Sequence, residues 1–157
     1  MYLSPEQQTT LKAAILADSA LNQIYTDGDL GALASALNAD SSTIVWRSSV
    51  TQDEIMQNGF NWVRVDNLSV GKARIWEWLF DNATRTFNPS KVNVRAGIDE
   101  TWKGTAADLA VRDAVYAHCK RAATVLEKLF ATGTGTTQSP ALLGVEGYVS
   151  WYDLTSL

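Results

Sequence analysis

The one histidine and the one cysteine of this chain are neighbours, His118 and Cys119. A Cys–His nucleophilic pair or a metal site needs side chains that converge on one point, whereas neighbours on a helix point about 100° apart. No second histidine or cysteine is present in the sequence to complete such a site. We therefore expect a structural role for both residues, with no catalytic residue, metal or cofactor.

Carboxylates stand close together at Asp99–Glu100 and again at Asp108 and Asp113. Paired carboxylates serve as general acid and base, but neither spacing is diagnostic of that chemistry. Asp108 also follows Thr105 by three residues, which is the spacing of a helix capping box. Solvated helix charges are the favoured interpretation. A small enzyme or ligand-binding protein that uses Cys119 or Asp99–Glu100 is kept as an alternative.

The run Gly-Thr-Gly-Thr at residues 133–136 has the composition of a phosphate-binding loop. It follows a helical pattern instead of opening one, and no Gly-Lys-Ser or Gly-Lys-Thr accompanies it. The surrounding stretch is short, polar, uncharged and rich in glycine. It therefore predicts a flexible hinge.

Composition narrows the class of protein. The 157 residues are 46% apolar, which is enough to bury a core in one domain. The chain has only thirteen Lys and Arg residues, and its net charge is -4. A nucleic-acid binder needs clustered positive charge, so this composition argues against that class. The first ten residues lack a signal-peptide pattern, and no apolar run approaches the ~20 residues of a membrane span. We expect a soluble protein made in the cytoplasm, with no sequence-specific nucleic acid and no membrane among its partners.

Capping signals and apolar spacing predict a series of short helices that carry these residues. The predicted starts are Pro5 after Ser4, Leu30 after Asp27 or Asp29, the turn after Thr51, the turn after Asn67 or Ser69, and the turn after Asn88–Pro89. Asn38 and Asn58–Gly59 are predicted stops. Residues 43–47 are a candidate strand.

The longest apolar stripe predicts one helix from Thr105 to a C-cap at Gly133. Beyond it, residues 145–152 alternate in a strand pattern. The predicted fold is mainly α, a small helical bundle with one long C-terminal helix followed by an extended C-terminal arm that forms a short β-strand. The predicted domains are a helical domain, residues 1–132, and a flexible hinge with the arm, residues 133–157.

Several stretches of the sequence resemble a family of small proteins encoded in the structural modules of tailed bacteriophages, between the capsid and tail genes. They are RAATVLEKLFATGTG with SPALLGVEGYVSWYDL, LSPEQQTTLKAAILAD, TIVWRSSVTQDEI and NPS. The resemblance covers nearly the full chain and implies a virion structural protein, not an enzyme. A helical body with a C-terminal arm is similar to head–tail adaptor proteins, which form a ring beneath the portal and send an arm into it.

The resemblance implies three kinds of partner: further copies of the chain in a homo-oligomeric ring, the portal protein, and neighbouring neck or tail proteins. The implied location is the virion neck, after synthesis in the bacterial cytoplasm. A tail-completion or stopper protein, or a head-decoration protein, is the alternative. A lone strand needs a partner edge, so we expect the hinge and arm to bind the partner. The expected partner-binding residues are Gly133, Gly135, Leu143, Val145, Tyr148, Val149, Trp151, Tyr152 and Leu154.

Overall fold

Helices dominate the structure, a computed structural model that describes residues 3–57 and 60–157. Within these ranges the helices are α1 Pro5–Ala17, α2 Ser19–Thr26, α3 Leu30–Leu37, α4 Gln52–Gln57, α5 Trp62–Asp66, α6 Val70–Leu79, α7 Val92–Thr101, α8 Ala106–His118, α9 Val125–Phe130 and the 3-10 helix η1 Tyr152–Ser156. The strands are β1 Asp40–Trp46, β2 Val50–Thr51, β3 Thr86–Phe87 and β4 Lys120–Thr124. The prediction of a mainly helical fold is confirmed.

The N-terminal helix signals are confirmed. Ser4 Oγ accepts the Gln7 N–H at 3.3 Å, and Gln7 Oε1 accepts the Ser4 N–H at 2.8 Å, so α1 begins with a complete capping box. Asp29, not Asp27, caps α3 by accepting the Ala32 N–H at 2.9 Å. Asn38 is the C-cap of α3. These helices begin where a side-chain oxygen satisfies an otherwise unpaired backbone N–H.

Thr51 and Glu54 form the predicted capping interaction at α4, with Thr51 N–H donating to Glu54 Oε2 at 2.8 Å. The predicted stop at Asn58–Gly59 lies outside the described residues. Ser69 caps α6 as predicted. The helix predicted after Asn88–Pro89 begins later, at Val92.

In the part of the chain that the structure describes, the strands form two sheets of two strands each. β1 pairs with β4, and residues 43–46 of the candidate strand at 43–47 form the second half of β1, which ends at Trp46. β2 pairs antiparallel with β3, with Val50 opposite Phe87 and Thr51 opposite Thr86.

The long C-terminal helix is not confirmed. α8 starts at the predicted Thr105–Asp108 capping box but ends at His118, and β4 and α9 follow. The helix restarts at a second capping box, in which Thr124 Oγ1 accepts the Glu127 N–H at 3.1 Å and Glu127 Oε2 accepts the Thr124 N–H at 3.0 Å. α9 ends at Phe130, so Gly133 is not a C-cap.

The chain divides into two compact units. Unit 1 is formed by residues 1–45 and 122–157. Its core contains Leu3, Leu11, Ile15, Leu33, Ala34, Leu37, Leu126, Val145, Val149 and Leu154. The predicted domain boundary between residues 132 and 133 therefore falls inside unit 1, because both sides of it pack on the same core.

Unit 2 is formed by residues 46–121 and is built around aromatic side chains. Trp76 lies edge-on to Trp102, with ring centroids 5.3 Å apart, and edge-on to Phe80 at 5.2 Å. Such edge-to-face pairs add stabilisation beyond that which comes from burying their apolar surface. Trp76 is 6% exposed and Trp78 is 67% exposed, as expected for two residues on nearly opposite sides of one helix.

An ion pair ties α5 to α8 within unit 2. Arg64 Nη2 lies 2.5 Å from Oδ1 of Asp108, whose other oxygen accepts the Thr105 N–H at 3.0 Å. The hydrogen bond from Arg64, together with those from Thr105, lowers the pKa of Asp108 to about 2. Within the described residues, no helix is both long enough and apolar enough to cross a bilayer.

Candidate functional site

The residues predicted to form the hinge pack against β1. Gly133 and Gly135 have positive φ angles of 119° and 71°. The Gly135 carbonyl accepts the Ile44 N–H at 2.8 Å, and a Cβ at Gly135 would lie only 2.6 Å from Thr43 Cγ2. Glycine is therefore required at residue 135 both by the left-handed backbone and by the close approach of β1. The segment is a packed turn in the structure.

Four of the predicted arm residues contribute to the interior of unit 1. Val145, Val149 and Leu154 are 9%, 3% and 2% exposed and belong to its main core. Leu143 is half-buried and packs on a smaller cluster that contains Val45 and other residues. These side chains hold the end of the chain on unit 1.

Two polar side chains fix the backbone of the same segment. Asn38 donates from Nδ2 to the Val149 carbonyl at 2.7 Å and accepts the Val149 N–H on Oδ1 at 3.0 Å. Glu127, 1% exposed, accepts the Gly147 N–H on Oε1 at 3.0 Å. The Asn38 amide thus makes the two hydrogen bonds that a neighbouring strand would otherwise provide.

The predicted strand at residues 145–152 is not observed. The backbone there is irregular and ends in η1, whose first turn is organised by Ser150 and Asp153. Hydrogen bonds from the Ser150 N–H and hydroxyl lower the pKa of Asp153 to about 2. Gly147 has a φ of 121°, which interrupts an extended strand. The alternation of Val145, Val149 and Trp151 therefore does not place all three on one face.

The remaining predicted residues are aromatic and exposed. Tyr148, Trp151 and Tyr152 are 70%, 59% and 71% exposed. The rings of Trp151 and Tyr152 meet edge to face, with centroids 5.9 Å apart. We call these three residues the C-terminal aromatics. They present apolar surface to solvent from a segment whose neighbouring side chains are buried.

Unit 1 also carries an apolar groove that the sequence did not indicate. It has a volume of about 360 Å³ and is lined mainly by side chains of α1, α2 and α9, including Leu11, Leu21 and Leu129. Asp18 and Lys128 also line it. The groove forms where three helices meet, so no single stretch of sequence reveals it.

The side chains considered for catalysis are not brought together. Cys119 is fully buried, and burial raises the pKa of its thiol to about 12, so it is protonated at neutral pH. Asp99 lies 4.0 Å from Arg112, whereas Glu100 accepts from Lys103 at 2.6 Å. Among the described residues, no three His, Cys, Asp or Glu side chains are grouped as metal ligands.

Comparisons with protein families, with curated proteins and with solved structures gave no match to this chain. The geometry of unit 1, together with the resemblance seen in the sequence, therefore carries the functional proposal.

Proposed function

We propose that this protein is a structural subunit of a tailed-phage particle, a head–tail adaptor that docks on the portal ring through its C-terminal aromatics. The observation that carries the proposal is the exposure of Tyr148, Trp151 and Tyr152 on a segment that is anchored in the core of unit 1. Trp and Tyr dominate the binding energy of protein interfaces when a partner covers them.

The proposed docking differs from the strand addition expected from the sequence. Burying a large side chain that was exposed contributes roughly 1.5–3 kcal/mol. Because Val149 and the Asn38 hydrogen bonds already order the backbone, little ordering entropy opposes binding. The partner would receive a preformed aromatic surface instead of a flexible strand.

A closed ring requires two different surfaces on each subunit, because its contacts run head to tail. In the proposal, the apolar groove of unit 1 receives the neighbouring subunit and the C-terminal aromatics face the portal. Many copies in one ring would multiply a weak contact per subunit through effective concentration. The net charge of -4 suits a channel through which DNA passes, since it gives no gain from counterion release.

Co-sedimentation with the portal ring encoded beside this protein tests the proposal. Deleting residues 133–157 is unsuitable, because the deletion removes Val145, Val149 and Leu154 from the core. The double variant Trp151→Ala/Tyr152→Ala removes exposed rings and leaves that core intact. Trp62→Ala, which removes a ring of unit 2 that is 54% exposed, is the matched control.

The proposal expects the wild type and Trp62→Ala to sediment with the portal and the double variant to stay in the supernatant. Equal binding by all three proteins would move the contact away from the C-terminal aromatics. Failure of the wild type to bind would reject a portal-facing adaptor. The copy number per particle would then distinguish a tail-completion or stopper protein from a head-decoration protein.

A further inference from the structure

Unit 2 carries a cleft of about 640 Å³ where the C-terminal end of α6 and the loop after it meet the start of α4. Its side chains are mostly polar. The residues that matter for binding are Gln52, Glu77, Trp78, Asp81, Asn82 and Arg85. None of them belongs to the segment that the proposed function uses, and all of them lie in unit 2.

Trp78 supplies an aromatic surface to this cleft. Trp76, two residues earlier, is buried in the core of unit 2 and fixes the orientation of α6. The indole of Trp78 is 67% exposed. An exposed indole offers a flat apolar face that a ring-shaped ligand can cover.

Three charged groups line the cleft without neutralising one another. Glu77, Asp81 and Arg85 make no side-chain hydrogen bond or ion pair with any residue that the structure describes. The N–H donors of Arg85 and the carboxylate acceptors of Glu77 and Asp81 are therefore available to a ligand. Polar groups of this kind set the orientation and specificity of a bound molecule.

The loop that presents Arg85 is firmly held. Asn82 Oδ1 accepts the Thr84 N–H and the Thr86 N–H, each at 3.2 Å. The Arg85 carbonyl accepts the Gln52 N–H at 2.9 Å. Arg85 itself has a φ of 47°, an uncommon left-handed conformation for a residue with a Cβ. A glycine at this position would adopt the same backbone without strain.

A second hollow of about 210 Å³ shares two lining residues with the cleft. Gln52 and Arg85 line both, and Asp53 and Thr84 line the second alone. The two hollows are treated as one surface, with Trp78 in the larger hollow and Arg85 in both. We call this the Trp78 groove.

We propose that the Trp78 groove binds a neutral oligosaccharide. The apolar C–H face of a sugar ring would cover the indole, its hydroxyls would donate to Glu77 and Asp81, and Arg85 would donate to its oxygens. Three carboxylates against one guanidinium disfavour a phosphodiester chain. The polar lining disfavours an apolar ligand. A lysine-rich peptide, which the excess of carboxylates would attract, is the competing ligand that the experiment includes.

Isothermal titration calorimetry on the full chain tests this assignment. The probes are the hexasaccharides of cellulose, chitin, amylose and laminarin, with hexalysine as a charged comparison. The variants are Trp78→Ala and Arg85→Gly, and Trp62→Ala is the matched control, because Trp62 is exposed in the same unit but does not line the groove.

At least one hexasaccharide should bind the wild type and Trp62→Ala equally. Trp78→Ala should weaken that binding about two- to tenfold, the usual scale for losing one aromatic contact. Arg85→Gly should also weaken it while leaving the thermal unfolding midpoint equal or higher, which separates lost binding from lost folding. Binding of no hexasaccharide, binding unaffected by Trp78→Ala, or binding of hexalysine alone would overturn the proposal.

Discussion

Leu154→Ala is the most direct test of whether the end of the chain belongs to a folded core. Leu154 is 2% exposed and packs in the core of unit 1. The variant removes three carbons at about 0.8 kcal/mol each and leaves a cavity that adds to the loss. We expect a loss of about 3 kcal/mol, within the usual range for this substitution.

Tyr152→Ala is the matched control, because Tyr152 begins the same 3-10 helix but is 71% exposed. Its free energy of unfolding should change by no more than about 0.5 kcal/mol. Tryptophan fluorescence alone would report mainly on unit 2, because only Trp151 lies in unit 1 and the other five tryptophans do not.

The assay is therefore urea unfolding followed by far-ultraviolet circular dichroism, with hydrogen exchange measured by mass spectrometry. Amides of α1 and α3 that exchange by global unfolding of unit 1 should exchange about a hundredfold faster in Leu154→Ala, since each 1.4 kcal/mol is a factor of ten. Equal stability of Leu154→Ala, Tyr152→Ala and the wild type would refute the packing described here. That result would instead support the extended C-terminal arm that the sequence predicted.

Three further perturbations test other parts of the structure. Asn38→Ala removes both hydrogen bonds to Val149 and should cost about 1–3 kcal/mol in urea unfolding, whereas an unchanged midpoint would show that water replaces the amide. Gly144→Ala would place a Cβ 2.6 Å from a carbonyl oxygen of α9 and should cost about 1–3 kcal/mol, with wild-type stability as the contradicting result. Because the pKa of Asp108 falls from an ordinary 3.8 to about 2 on folding, its contribution to stability should be complete above about pH 5 and be lost as the pH falls through about 2. In Arg64→Met, the urea midpoint should depend less on pH. If the variant and the wild type had the same pH profile, the ion pair would not be the cause of the dependence.

The starts of several helices could be predicted because their signals are local. Ser4 with Gln7, and Thr105 with Asp108, satisfy one another's backbone N–H groups across three residues. Such pairs need no distant partner, so the sequence alone reveals them. Helix geometry likewise separates Trp76 from Trp78, but that Trp78 is exposed rather than packed on a second neighbour is seen only in the structure.

The break after α8 was missed although part of its signal is local. Thr124 and Glu127 repeat the Thr-x-x-Glu spacing that starts α4, but the apolar stripe through Val115 and Leu126 favoured one continuous helix. What decides the break is the pairing of β4 with β1. For example, the Ser41 hydroxyl of β1 donates to the Ala123 carbonyl of β4 at 2.8 Å. A partner so far away in the chain is not visible in a local pattern.

The prediction of a C-terminal strand was wrong for a related reason. Val145 and Val149 favour strand, but Gly147 leaves the extended region and Asn38 takes the place of a neighbouring strand. The nine predicted binding residues consequently separate into turn glycines, buried or half-buried aliphatic side chains and exposed aromatics. Only tertiary packing distinguishes Val149, which is buried, from Trp151, which is not.

The same packing limits how the proposed docking can work. Releasing residues 145–154 as an arm would expose Val145, Val149 and Leu154, at roughly 1.5–3 kcal/mol for each side chain, and would break the Asn38 hydrogen bonds. A portal that received the arm would have to bury all three side chains again before it gained any affinity. A portal that covers only the C-terminal aromatics avoids that cost. A contact through a surface fixed on unit 1 is therefore favoured over one made through a released strand.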